Sequence, residues 1–198
     1  MKGVATPATT RGRAAARAPR SRAAARAALS AAAIGLALAL PAALAADDEP
    51  RTNAFDDPFV QATHAIAACP VAEGPLVTAA EARAQSHIRV EKGTTCHYWG
   101  RCRLPNAYLY DKEIVPRVVR FIGLDERFAN STIWVLGQRR WVYLKGCVAS
   151  AEQASELERE VRLIDDVEAV INELTVGSEG KPPYAVARPL SAASTATR

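Results

Sequence analysis

The stretch QRRWVYLKGCVASAEQ at residues 138–153 has the pattern of a strand that passes through a turn into a helix. Its side chains alternate with a period of two, which is typical of a strand with one buried face. Ser150 with Gln153 forms a capping-box pattern, which predicts that a helix begins here. The two faces of the strand carry Val142, Leu144, Gly146 and Val148 on one side and Trp141, Tyr143, Lys145 and Cys147 on the other.

The neighbouring segments complete a small unit around this strand. STIWVLG at residues 131–137 is a second β-branched and aromatic run, so GQRR at 137–140 predicts a hairpin turn. KEIVPRVVRFIGL at 112–124 has helical spacing, and VEAVINELTV at 167–176 predicts a third strand. The order helix-strand-strand-helix-strand predicts an α+β fold, a three-stranded sheet with two helices on one face. A unit of this size buries little core, so we expect additional support from the rest of the chain.

This segment resembles the BON domain family, a small module of exported bacterial proteins. The matching positions are Val142, Leu144, Gly146 and Val148 in the first motif and Val167, Val170, Asn172 and Leu174 in the last strand. Asp166 stands where the family usually has glycine, and Gln138-Arg139-Arg140 forms a turn where glycine is frequent. The resemblance implies a protein without enzymatic activity or cofactor that binds phospholipid surfaces, often at the outer membrane.

The N-terminus has the three parts of a secretory signal peptide. Its first 26 residues hold seven basic residues and no acid, AALSAAAIGLALAL follows, and Ala43-Leu44-Ala45 is a small-x-small cleavage motif. We therefore expect residues 1–45 to be removed and the protein to be periplasmic, at the periphery of the outer membrane, with no transmembrane segment remaining.

Cleavage would change the sign of the net charge. The chain has 25 basic and 21 acidic residues, so loss of seven basic residues leaves 18 against 21, a net charge of −3. This balance gives no support to bulk nucleic-acid binding.

All four cysteines, Cys69, Cys96, Cys102 and Cys147, follow the cleavage motif. An even number of cysteines in an oxidising compartment predicts two disulfides, with three alternative connectivities. A zinc site at Cys96, His97 and Cys102 and a redox-active pair are the alternatives. The chain contains no Cys-x-x-Cys pair, so the pattern favours structural disulfides and no metal.

Residues 46–110 are predicted to be a mostly helical, cysteine-rich region. A helix is expected to start at Asp56 or Asp57 with Pro58 in its first turn and to reach Cys69. A second helix is expected from the capping box of Thr78 with Glu81 to Gly93, packed through a strip containing Ala82 and Ile88. The BON-like domain is placed at 111–176, and residues 177–198 are predicted to be a disordered tail.

The strand face that carries Cys147 has two interpretations. In the first, the N-terminal region covers the face and Cys147 is bonded to it, through Cys69 or Cys102. In the second, the face is free and forms a lipid- or partner-facing surface, since aromatic and basic side chains suit a membrane interface. The residues of this predicted surface are Trp134, Arg139, Arg140, Trp141, Tyr143 and Lys145.

No catalytic motif is present in the sequence. The three histidines, His64, His87 and His97, lie in no nucleophile or metal-binding pattern, and Asp165-Asp166 precedes a strand as turn residues do. We therefore expect a non-catalytic protein without a cofactor. Its partner would be a phospholipid surface or, alternatively, an envelope protein docked by the hairpin or the cysteine-rich loop.

Overall fold

The computed structural model describes residues 49–188. The predicted signal peptide, and the tail beyond residue 188, lie outside these residues. The helices are α1 (Ala79–Tyr98), α2 (Asp111–Leu124) and α3 (Ala151–Arg162), and the strands are β1 (Phe59–His64), β2 (Thr132–Gln138), β3 (Trp141–Val148) and β4 (Ala169–Val176). Short 3-10 turns occupy Ala107–Tyr110 and Glu126–Phe128.

The strands form one sheet in the order β1-β2-β3-β4. β1 and β3 each pair with β2 in antiparallel fashion, and β4 pairs with β3 in parallel across the α3 connection. The predicted α+β class is confirmed, and α2, the hairpin, α3 and β4 follow the predicted order. The prediction of three strands was wrong, because the sheet has four.

The additional strand comes from a segment that the sequence predicted to be helical. β1 runs along β2, with Phe59 opposite Leu136 and His64 opposite Thr132. Without it, β2 would expose a row of unpaired backbone N–H and C=O groups at the sheet edge. Pairing with that edge overrides the helical spacing of residues 58–69, and Asp57 binds Arg89 instead of capping a helix. The helix prediction for this segment was therefore wrong.

The main core lies between α2, α3 and the face of the sheet that we call the near face. The strands contribute Ile133, Val135, Val142, Leu144 and Val170. The helices contribute Ile114, Val115, Val118, Ile122, Leu157 and Val161. The opposite surface of the sheet is called the far face below.

Gly146 is required where β3 lies closest to β2. Its φ of +128° is disfavoured for other residues, and an added Cβ would lie 2.0 Å from the carbonyl oxygen of Thr132. The glycine therefore permits close approach of the two strands next to Cys147.

α1 begins at the predicted capping box of Thr78 with Glu81 but continues five residues past Gly93 to Tyr98. Gly93 does not end the helix. An added Cβ there would lie 2.5 Å from the side chain of Asn106, so the glycine allows α1 to pack closely against Asn106. Gly93 is the buried residue of α1, and Ile88 is 49% exposed, so the predicted contact through Ile88 was wrong.

The segment after β4 folds back onto the chain around Cys69. Tyr184 is buried, and the N–H of Ala187 donates to the carbonyl of Val71 at 2.8 Å. In the other direction, the N–H of Glu73 donates to Ala185. The prediction of a disordered tail from residue 177 is therefore wrong for residues 184–187, which have backbone partners or a buried side chain.

Candidate functional site

The far face of the sheet is covered at the end where Cys147 lies. A disulfide joins Cys147 to Cys69, one of the two partners predicted for it. Trp134, Ala72 and Tyr184 are buried around this disulfide, with Phe59 and Ile66 packed against them. Trp134 is only 6% exposed, so the prediction that it belongs to a free surface was wrong. The N-terminal region and the returning C-terminal segment cover it.

The other two aromatic residues of the predicted surface are half-buried. The guanidinium of Arg139 lies 4.7 Å from the ring centroid of Trp141, a cation–π contact. The indole Nε1 of Trp141 is buried and has no hydrogen-bond partner among residues 49–188. Burial raises the pKa of the Tyr143 hydroxyl, and the charge of Glu173 raises it further. These two residues therefore offer only part of their rings to a partner.

The basic residues of the predicted surface have partners within the protein. Lys145 is largely buried, with its Nζ 3.8 Å from Glu173. Arg140 donates to the carbonyl of Asp166 at 2.9 Å and to the sulfur of Cys102 at 3.3 Å. Its guanidinium also lies over the ring of Tyr110. Because these cations already have partners within the protein, they are poorly placed to bind the phosphate groups of lipids.

Asp111 holds the turn of the β2–β3 hairpin. Its carboxylate accepts from the backbone N–H of Arg139 at 2.6 Å and of Arg140 at 2.7 Å. Both arginines have left-handed backbone, with φ of 58° and 67°, as a two-residue type I′ hairpin requires. Burial raises the pKa of Asp111 to about 7, although the two N–H donors act in the opposite direction. The carboxyl group of Asp111 therefore has a structural role, which is to hold the turn between β2 and β3.

α1 is attached to the domain by a narrow set of contacts. Arg89 donates to both carboxylate oxygens of Asp57, which is buried and also accepts from Gln138 at 2.7 Å. The Arg89 guanidinium lies between the rings of Phe55 and Tyr108, 4.1 and 3.9 Å from their centroids. Most other α1 side chains are exposed, so the helix projects from the domain with its C-terminal end fixed by a disulfide.

That disulfide joins Cys96 to Cys102 and closes the segment CHYWGRC, which we call the 96–102 loop. The N–H of Gly100 donates to the carbonyl of His97, and the N–H of Arg101 donates to Cys96. These two bonds and the left-handed Gly100 form a Schellman motif that ends α1. Both sulfurs of this pair are thus in a disulfide, the structural role that the cysteine pattern favoured.

The 96–102 loop presents two adjacent aromatic side chains to solvent. Tyr98 is 82% exposed and Trp99 is 66% exposed, with their rings edge-to-face at 5.5 Å. A cavity of about 490 Å³ lies beside them. Its lining residues are Glu91, Thr94, Thr95, His97, Tyr98, Trp99 and Pro105.

Neither Tyr98 nor Trp99 was among the predicted surface residues. The sequence contains a signal for them, because a seven-residue segment closed by a disulfide is too small to bury its own aromatic side chains.

No helix within residues 49–188 is long and apolar enough to cross a membrane. No curated protein and no solved structure matches the chain. Residues 110–178, which contain α2, the hairpin, α3 and β4, match the family model of the BON domain and confirm the predicted resemblance for the C-terminal part of the chain.

Proposed function

We propose that this protein is an exported, non-catalytic component of the bacterial cell envelope that associates with the surface of a phospholipid membrane. The match of residues 110–178 to the BON domain carries the proposal, since that family is associated with phospholipid or envelope binding without catalysis. The proposed location is the periplasm, peripheral to the outer membrane.

The two disulfides support this location. Structural disulfides persist in oxidising compartments such as the periplasm and are rare in the cytosol. Cys147 is fully buried and bonded to Cys69, which ties the BON-like segment to the N-terminal region. A chain that depends on this bond would be less stable in a reducing compartment.

Vesicle co-sedimentation of residues 46–198 tests the proposal. The protein is mixed at low salt with vesicles of phosphatidylglycerol and phosphatidylethanolamine, and in parallel with vesicles of phosphatidylcholine. We expect it to pellet with the anionic vesicles and to be released as salt is added, because exposed charges are screened. A protein that stays in the supernatant with both vesicle types at low salt would refute the proposal.

A second candidate function is docking to an envelope protein. The cavity beside Trp99 favours it, because aromatic anchors next to concave, apolar surfaces are typical of interface hot spots. A defined partner that binds the purified protein, together with the absence of vesicle binding, would favour this second function.

A further inference from the structure

We infer that the 96–102 loop is the part of this protein that enters the membrane interface, with Tyr98 and Trp99 as anchors and anionic phospholipid as the partner. The inference rests on the proposed membrane association and adds the site. It places the contact outside residues 110–178, on the disulfide-closed end of α1.

The loop is rigid enough to present its aromatic side chains without a large ordering cost. Cys96 lies in the last turn of α1, and its partner Cys102 is 9% exposed and packs in the main core. A ring nitrogen of His97 lies 3.1 Å from the carbonyl oxygen of Cys102, which adds a second connection across the loop. Preorganised side chains lose less conformational freedom on binding than flexible ones, so more of their burial energy remains as affinity.

Exposure and residue type favour a membrane interface. Tyr98 is more exposed than any other large hydrophobic residue of the described chain, and Trp99 is its direct neighbour. Tyrosine and tryptophan combine an apolar ring with a hydrogen-bonding group, and they are enriched where membranes meet water. Such a pair can place its rings among the glycerol and upper acyl groups while its polar atoms remain hydrated.

Charge around the loop complements anionic headgroups. Residues 92–103 contain Lys92, Arg101 and Arg103 and no acidic residue. Arg103 is engaged with Glu113 and Asp166, but Lys92 and Arg101 are exposed and form no ion pair with another of residues 49–188. The nearest acidic residue in sequence, Glu91, lines the cavity beside the two rings, with its carboxylate 3.2 Å from Nε2 of His87. In sequence, Lys92 precedes the aromatic pair and Arg101 follows it directly, and neither cation is neutralised by an ion pair among residues 49–188.

The small area of the loop also favours lipid over protein. Tyrosine and tryptophan bury about 150–250 Å² each, so together they supply roughly 400 Å². A stable protein interface needs about 800 Å² from each partner, which is more than this tip provides. A membrane imposes no such minimum, because shallow insertion combined with electrostatic attraction gives reversible binding.

Vesicle binding by three double variants of residues 46–198 tests the site. Tyr98→Ser with Trp99→Ser removes the anchors, and we expect binding to phosphatidylglycerol-containing vesicles to weaken about ten-fold or more. Lys92→Gln with Arg101→Gln should weaken it about five-fold per charge and reduce its dependence on salt. Leu124→Ser with Leu163→Ser removes two comparably exposed apolar residues, 72% and 78% exposed, from the ends of α2 and α3. This matched control should bind as the wild type does.

The outcomes separate the site from the proposed function. If the wild type binds and the Tyr98/Trp99 variant binds equally well, the loop is not the anchor, although membrane association stands. If the Leu124/Leu163 variant is the one that loses binding, the contact lies on the BON-like helices. If the wild type binds no vesicles, the proposed function fails together with the site. Unchanged urea midpoints of the three variants would show that lost binding does not arise from unfolding.

Discussion

Each of the two disulfides of this protein lies beside aromatic residues, which are buried at one disulfide and exposed at the other. Cys69–Cys147 closes over Trp134, which is 6% exposed, whereas Cys96–Cys102 displays Trp99, which is 66% exposed. The first bond connects residues 78 positions apart and holds the N-terminal region on the sheet. The second connects residues six positions apart and shapes a single turn. A disulfide can therefore complete a core in one place and fix an exposed surface in another.

Loop length explains the difference in energetic terms. In the chain-entropy model, closing a loop of this greater length stabilises the folded state by roughly 4.5 kcal/mol, and closing the short one by roughly 2 kcal/mol. The long disulfide also keeps apolar side chains out of water, which adds to its effect. The short disulfide brings fewer buried groups together, so its main consequence is the fixed position of Tyr98 and Trp99.

Two glycines that lie next to these disulfides provide the largest expected effect. Gly146 precedes Cys147 and Gly100 lies between Cys96 and Cys102, and both have positive φ. An added Cβ at Gly146 would meet backbone at 2.0 Å, whereas nothing lies within 4 Å at Gly100. We expect Gly146→Ala to lower the free energy of unfolding by more than about 4 kcal/mol. Gly100→Ala should cost about 1–2 kcal/mol, for its left-handed backbone alone.

Urea denaturation followed by far-UV circular dichroism measures both variants. Gly100→Ala is the comparison variant, because it makes the same substitution at a positive φ, 67° against 128°, with no atom within 4 Å of the added Cβ. Similar losses in the two variants would contradict the steric role of Gly146. If Gly146→Ala does not fold, a soluble and cooperative Gly100→Ala still supports the comparison.

Removing each disulfide in turn compares the two regions directly. Cys69→Ala with Cys147→Ala should lower the free energy of unfolding by about 4 kcal/mol, and Cys96→Ala with Cys102→Ala by about 2 kcal/mol or less. For vesicle binding, measured at a temperature where both variants are folded, the Cys96/Cys102 variant should show the larger loss. This variant, called the short-loop variant below, should bind vesicles more weakly than the Cys69/Cys147 variant, because Tyr98 and Trp99 are no longer held in place.

Chemical denaturation and vesicle co-sedimentation of the same preparations provide the two measurements. A short-loop variant that binds vesicles as well as the wild type would show that the disulfide is not needed to present Tyr98 and Trp99. A larger stability loss from the short disulfide than from the long one would contradict the chain-entropy explanation.

The sequence predicted the part of the fold that depends on local signals. The alternation of Val142 and Leu144 identifies β3, and the caps at Thr78 and Ser150 identify the starts of α1 and α3. These patterns reflect contacts within one element or between neighbours in sequence. The BON match to residues 110–178 includes β3 and the start of α3, whereas the start of α1 lies outside it.

The features that were not predicted depend on distant partners. Residues 59–64 become a strand because β2, about 70 positions later, offers an open edge, and their apolar spacing alone also fits a helix. Glycine is typical of a helix end, but Gly93 lies within α1, where its missing side chain leaves room for Asn106. Strand alternation alone places Trp134 on the exposed face of the sheet, but in the structure Cys69 and Tyr184 cover it.

The surface residues predicted on the sheet are less exposed than the strand pattern suggested. Aromatic and basic residues were expected on the sheet, where Lys145 and Arg140 instead have partners inside the protein. Aromatic and basic residues also occur together at the end of α1, where Trp99 is exposed and Arg101 has no ion-pair partner among residues 49–188. Strand alternation indicates which face a side chain occupies, but not whether another segment of the chain covers that face.

The last comparison is between two left-handed turns. Asp111 holds the turn of the β2–β3 hairpin, and Gly100 permits the turn of the 96–102 loop. Asp111 is 1% exposed, and burial raises its pKa to about 7, against about 4 in an unfolded chain. Between these pH values the folded protein holds a proton on this group that the unfolded chain releases. Its contribution to stability is therefore complete below about pH 4 and is lost as the pH rises through about 7.

We expect the wild type to gain about 2 kcal/mol of stability from Asp111 when the pH falls from 8 to 5. Asp111→Asn cannot ionise and retains one oxygen that can accept from Arg139 or Arg140, so this gain should be absent from the variant. Urea denaturation of both proteins at pH 5 and pH 8 isolates the contribution, because every other titrating group is common to the two. If the variant keeps the pH dependence of the wild type, the carboxyl group is ionised throughout this range, and the hairpin turn is held by a charged brace at both pH values.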